Sequence, residues 1–318
     1  QQKPMKTYLI LALLLLLLVP ALAQDESADI DLTPPEFGSF DPESIADINI
    51  EDYPILPELT DYARIIFERG KETGRNSQVF SKVGDCMTAS EPFMTPFGGD
   101  DYDLGEYTHL AEVVEHFSAV PARGEGFELN AFNAKGLATE TGYNTATALD
   151  SIWSDPNWCG GSESPLECEY RVTSSAFALI MFGTNDVQFI SEADFDYYLR
   201  NVIIETINHD VVPVLYTFPD RPEFLEKSDR YNQIIIKVAQ DYDLPLINFW
   251  LSLKDLPDSG VDVLEPIHLT LPEDGNTGIF TEERLNMGYT HRNLVTLQAL
   301  DILLKGLIQD DETESVSS

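Results

Sequence analysis

The stretch Phe177-Ala178-Leu179-Ile180-Met181-Phe182-Gly183-Thr184-Asn185-Asp186 decides the fold. Its first six residues are apolar without alternation, which fits a strand covered on both faces. The glycine that follows permits a tight turn where the strand ends. Outward from it, short runs rich in aromatic and branched residues recur at Val79 to Val83, Phe127 to Phe132, Val211 to Thr217 and Pro245 to Trp250. Between the runs apolar residues return at three- and four-residue steps. Phe195, Tyr198, Leu199, Val202, Ile203 and Ile207 do so behind a capping pair, Ser191 and Asp194. Tyr231, Ile234, Ile235 and Val238 repeat the pattern, as do Leu297, Leu300, Leu304, Leu307 and Ile308. Such alternation predicts an α/β fold in three α/β/α layers: a mostly parallel, five-stranded sheet clad by helices, with right-handed crossovers.

Ligands of open sheets in this class bind beyond the carboxyl ends of the strands. Three polar stretches fall there: Gly84-Asp85-Cys86 after the first run, Asn133 to Gly142 after the second, and Gly183 to Asp186 after the third. A fourth, Glu265-Pro266-Ile267-His268, follows the last run. Glycines allow close backbone approach, and an acyl carbonyl under attack needs N–H donors to hold its developing oxyanion. The side chain of Asn185 is a further donor of that kind.

In order and spacing these blocks resemble those of the SGNH, or GDSL-like, hydrolase family, over roughly residues 76 to 308. The family's first block reads Gly-Asp-Ser, its third Gly-x-Asn-Asp and its last Asp-x-x-His. Here Cys86 stands for the serine and Glu265 for the aspartate. The second block supplies a glycine before a helix, and Gly142 suits it because a helical pattern through Leu149, Ile152 and Trp153 follows; Gly136 is the fallback. The resemblance implies a flavodoxin-like fold and ester hydrolysis without a metal or organic cofactor. It assigns Cys86 as nucleophile, His268 as general base and Glu265 as the carboxylate that orients it. The oxyanion hole falls to the N–H groups of Cys86 and Gly142 and the amide of Asn185. Asp262, six residues before His268, is the alternative orienting group. A thiol needs less activation than a hydroxyl, so cysteine can play the nucleophile's part. The competing expectation is a catalytically silent module that binds an acylated glycan or lipid, with Cys86 inert.

Nineteen basic against fifty-five acidic residues in 318 give a formal net charge of -36, which makes nucleic acid and anionic membrane surfaces poor partners. A small-molecule, glycan or lipid ester remains. Residues 1 to 23, with Met5-Lys6, the apolar Leu9 to Val19 and Ala21-Leu22-Ala23, read as an export signal, so the protein is expected to be secreted. Residues 24 to 60 lack Lys and Arg up to Ala63 and carry Pro34, Pro35, Pro54 and Pro57, the composition of an extended acidic linker. The hydrolase domain is read over 61 to 308 and an acidic tail over 309 to 318. In an oxidising compartment Cys159 and Cys168 are expected to pair, leaving Cys86 as the odd thiol. His109, His116, His209 and His291 have no matching carboxylate or cysteine spacing, and no zinc set beyond Cys86, His268 and Glu265 suggests itself.

Overall fold

The computed structural model of the chain describes Pro34 and residues 36–309. The stretch expected to be an export signal, the first part of the expected linker and the tail beyond Gln309 lie outside the described residues.

In chain order the elements are α1 (Asp61–Thr73), β1 (Asn76–Gly84), α2 (Cys86–Ala89), α3 (Ala111–Ser118), α4 (Pro165–Thr173) and β2 (Ser175–Met181). There follow α5 (Asp186–Phe189), α6 (Glu192–Asn208), β3 (Val212–Tyr216), α7 (Leu225–Asp241), β4 (Leu246–Ile247), α8 (Phe249–Leu253) and α9 (Gly288–Leu303). The strands lie side by side in the order β1-β2-β3-β4, every pair parallel. One row of partners, Val83, Ile180, Leu215 and Leu246, crosses the whole sheet. Every residue of β2 is buried, as its unbroken apolar run demands.

Helices cover both faces. On one, Phe67 of α1 and Phe117 of α3 meet Phe177 at ring-centroid distances of 5.5 and 6.3 Å, and the Tyr216 hydroxyl donates to Thr296 of α9 at 3.1 Å. On the other, Ser81 of β1 shares a 3.2 Å hydrogen bond with Thr173 of α4, while Phe195 of α6 stacks on Tyr231 of α7 at 4.5 Å. The capping pair acts as the sequence suggests: the Ser191 hydroxyl accepts the Asp194 N–H at 3.2 Å. Each strand is entered through one residue in the left-handed region, namely Gly74 (φ 89°), Ser174 (φ 49°), Asp210 (φ 57°) and Asp243 (φ 49°).

The sheet has four strands among the described residues where five are expected. Phe127 to Phe132 is irregular, because asparagine side chains bend it: Asn130 Oδ1 accepts the Phe132 N–H at 3.1 Å, and Asn133 Oδ1 accepts the Asn130 N–H at 2.9 Å. The segment still flanks the sheet at β1. Lys82 Nζ donates to the Phe132 carbonyl at 2.9 Å, the Gly84 N–H donates to Ala138 at 3.1 Å, and Gly84 bridges to Thr139. The Pro245 to Trp250 run shrinks to a two-residue strand, since Asn248 ends it by capping α8, its Oδ1 accepting the Leu251 N–H at 3.2 Å.

The linker expected over residues 24 to 60 is not detached in its described part. From Gly38 on it forms a strap with two short 3-10 turns, Pro42–Ile45 and Ile50–Asp52, and buries Ile45 and Ile50 against the domain. Asn248 holds it: its Nδ2 donates to the Ile50 carbonyl at 2.7 Å and to Tyr53 at 3.0 Å, and its backbone N–H donates to Ile55 at 3.0 Å. Two isoleucines and a set of backbone carbonyls suffice where the composition argues for solvation. Among the described residues no helix is long and apolar enough to cross a membrane.

Candidate active site

At the end of β1 the chain passes through Gly84 (φ 157°), where a Cβ would collide with the Met181 carbonyl of the neighbouring strand. Asp85 then caps α2, its Oδ1 accepting the Met87 N–H at 3.1 Å. Its Oδ2 accepts the Thr184 N–H at 3.2 Å, so this one carboxyl ties the first block to the third. Asp186 does the same for the second and third: Oδ1 accepts the N–H and hydroxyl of Thr145 at 2.9 and 2.7 Å, and Oδ2 accepts the Gly183 N–H at 3.0 Å. The amide of Asn185 donates to the Tyr143 carbonyl at 2.8 Å, next to Gly142. Three loops after two strands are thereby knitted into one floor.

Gly142 (φ 87°) is exposed in the turn closed by the Tyr143 N–H on Glu140 at 3.2 Å. Gly136 packs against the Lys82 carbonyl, leaving no room for a side chain. The helix expected after Gly142 is two separate 3-10 turns, Thr147–Leu149 and Ser151–Trp153, and Ile152 and Trp153 face solvent rather than a core. Asp150 breaks the pattern between them, its side chain capping the second turn by accepting the Ile152 N–H at 3.0 Å.

The last block lies on a loop pinned at its base by the Val261–Leu269 bridge and by the Asp262 N–H on the His268 carbonyl at 3.0 Å. Glu265 Oε2 lies 3.2 Å from His268 Nδ1, and both side chains reach solvent. Asp262 turns elsewhere, accepting the N–H groups of Leu264 and Glu265 at 2.8 and 3.3 Å. Cys86, 2% exposed, sits against this loop, its thiol donating to the Ile267 carbonyl at 3.4 Å.

Burial, and after it the charge of Asp85, push the Cys86 thiol up to about 12, with the Met87 N–H and the Arg221 guanidinium pulling the other way. Burial lifts Asp85 to about 7, helped by Asp186, and lifts Asp186 to about 6. Two buried arginines that no spacing motif announces serve these blocks. Arg292, over the Phe93 ring at 3.7 Å, donates to the Met87 carbonyl at 2.8 Å and to the Thr88 hydroxyl at 3.0 Å. Arg221 donates to the Thr184 carbonyl, one residue before Asn185. Among the described residues no three His, Cys, Asp or Glu side chains are grouped as metal ligands. Cys159 and Cys168 form a disulfide, with Cα atoms 5.3 Å apart, and Cys86 is the free cysteine.

No family model matches the chain, and no curated protein does. Solved structures similar to it include Axe2, an acetylxylan esterase from Geobacillus stearothermophilus, at 13% identity over 71% of this chain and 95% of that one, with a TM-score of 0.43. The psychrotrophic esterase EstA from Pseudoalteromonas sp. is 12% identical over 69% of this chain and 98% of its own, with a TM-score of 0.40. A GDSL-like lipase from Bacteroides thetaiotaomicron is 12% identical over 75% and 97%, with a TM-score of 0.36.

Proposed function

We propose that this chain is an exported ester hydrolase or acyl transferase. The observation that carries the reading is the meeting of Cys86 with the block that ends in His268: the thiol is 3.4 Å from the Ile267 carbonyl, and the imidazole of the next residue is paired with Glu265. Glu265 accepting from Nδ1–H leaves Nε2 free to act as base. As the sulfur attacks the acyl carbonyl carbon, its proton passes to His268. The Cys86 and Gly142 N–H groups and the Asn185 amide hold the oxyanion. On collapse the C–O bond breaks, His268 returns the proton to the departing alcohol, and water or a second alcohol then resolves the thioester. With a thiol held near 12, no thiolate is stored at neutral pH, so proton transfer accompanies attack. The disulfide fits an oxidising compartment and supports export.

A purified chain lacking residues 1 to 23 is expected to hydrolyse a short-chain aryl ester, and to lose that activity in Cys86→Ala and in His268→Ala. Turnover untouched by both substitutions refutes the assignment. Cys86→Ser is expected to give equal or higher turnover, because the surrounding blocks are those of a family that uses serine. One observation favours a second reading, a silent binding module: the thiol is buried, protonated and spent on a backbone carbonyl. Absence of ester and thioester cleavage in both the native chain and Cys86→Ser would decide for it.

A further inference from the structure

Beside the second block lies a cavity of about 470 Å³, within the range of small-molecule sites. Part of its wall is the chain around Thr139, which bridges to Gly84 two residues before Cys86. Two tryptophans line it while remaining uncovered: Trp153 is 54% exposed and Trp158 41%. Both are nonetheless fixed. The Arg123 guanidinium stacks over Trp158 at 4.5 Å and Phe127 meets it edge-on at 5.9 Å. Tyr143 meets Trp153 edge-on at 6.2 Å and donates its hydroxyl proton to the Trp153 carbonyl at 2.7 Å. Core anchors are fixed by being buried, whereas these rings are held in place and left open, which is what a stacking surface requires.

The polar groups of the wall narrow the ligand. Arg123 and Lys135 are offset by Glu140 and Asp155, so neither an anion nor a cation is selected. Arg123 also keeps its Nε, shielded from solvent, without a hydrogen-bond partner. An alkyl chain would strip water from these polar groups without bonding them, and a nucleotide would meet both carboxylates within a chain of net charge -36. A pyranose offers the matching surface: an apolar C–H face for the indoles and a ring of hydroxyls for the rim.

We propose that this cavity is a subsite for a neutral glycan, and that the ester cleaved is borne on a sugar. The second clause rests on the hydrolase reading; the first does not. The full chain carrying Cys86→Ala, which binds without turnover, is titrated with cellohexaose, xylohexaose and mannohexaose by calorimetry and by tryptophan fluorescence. At least one is expected to bind saturably with a dissociation constant below about 1 mM. Trp153→Ala should weaken it about tenfold, Trp153→Phe should restore most of the affinity, and Lys135→Ala should weaken it a few-fold without touching an indole. No saturable binding by any of the three, or binding indifferent to both Trp153→Ala and Lys135→Ala, overturns the subsite. Binding without aryl ester hydrolysis by the native chain sinks the hydrolase reading and leaves the subsite standing; hydrolysis without binding does the reverse.

Discussion

Cys86 enters the structure as a hydrogen-bond donor. Its proton is held by burial and by Asp85, and it points at the Ile267 carbonyl. Alkylation of the folded chain by iodoacetamide at neutral pH should therefore run on the order of a hundredfold or more slower than that of free cysteine, followed by mass spectrometry. A rate equal to free cysteine would contradict the resting geometry. Beneath it, Asp85 and Asp186 hold their protons to about 7 and about 6, against about 3.9 in an unfolded chain. A proton held more tightly when folded favours the folded state below the unfolded value, and that advantage fades as pH rises through the folded one. The urea midpoint is accordingly expected to fall from about pH 5 to about pH 8, and Asp186→Asn should flatten that slope. An identical slope in the variant would remove Asp186 from the account. That the loops carrying Cys86, Asn185 and His268 meet was legible because they lie in short blocks of set order. Arg221 and Arg292 were not: each reaches a loop distant in sequence, and only the packed fold says which arginine is buried.

The elements most legible in sequence are those whose burial is one-sided or complete, β2 and the helices α6, α7 and α9. Periodicity reports burial, and these are the elements that burial shapes. Where side chains bend the backbone instead, the same apolar content misleads, as between Phe127 and Phe132 with their asparagines and after Gly142 with Asp150. The left-handed residues before the strands were equally silent, since three of the four are not glycine. Ser174, with φ 49°, is such a residue between α4 and β2. Ser174→Gly removes a Cβ that this conformation disfavours and should stabilise the domain by about 0.5–1 kcal/mol in a denaturant titration. A loss of stability would mean that the serine side chain does more than tolerate its position.

Across the whole molecule, three layers and their order followed from alternation, while the fastening of the strap did not, because it depends on backbone carbonyls that no side-chain pattern encodes. Asn248 bonds the strap, the turn into α8 and the Thr217 hydroxyl at once, the last at 3.1 Å. Asn248→Ala should cost about 2–4 kcal/mol and open residues 38 to 57 to limited proteolysis, with the products identified by mass. Unchanged resistance to protease would show the strap held by Ile45 and Ile50 alone. The two irregular segments flank the sheet on opposite sides, the chain from Phe132 to Thr139 along β1 and the strap beside β4. Each rim is thus covered at the end nearest the candidate site, by the Gly84 N–H on Ala138 at one edge and the Asn248 N–H on Ile55 at the other. Backbone covered in this way is withheld from pairing with a neighbouring copy, a safeguard that works by occupancy and needs no charge.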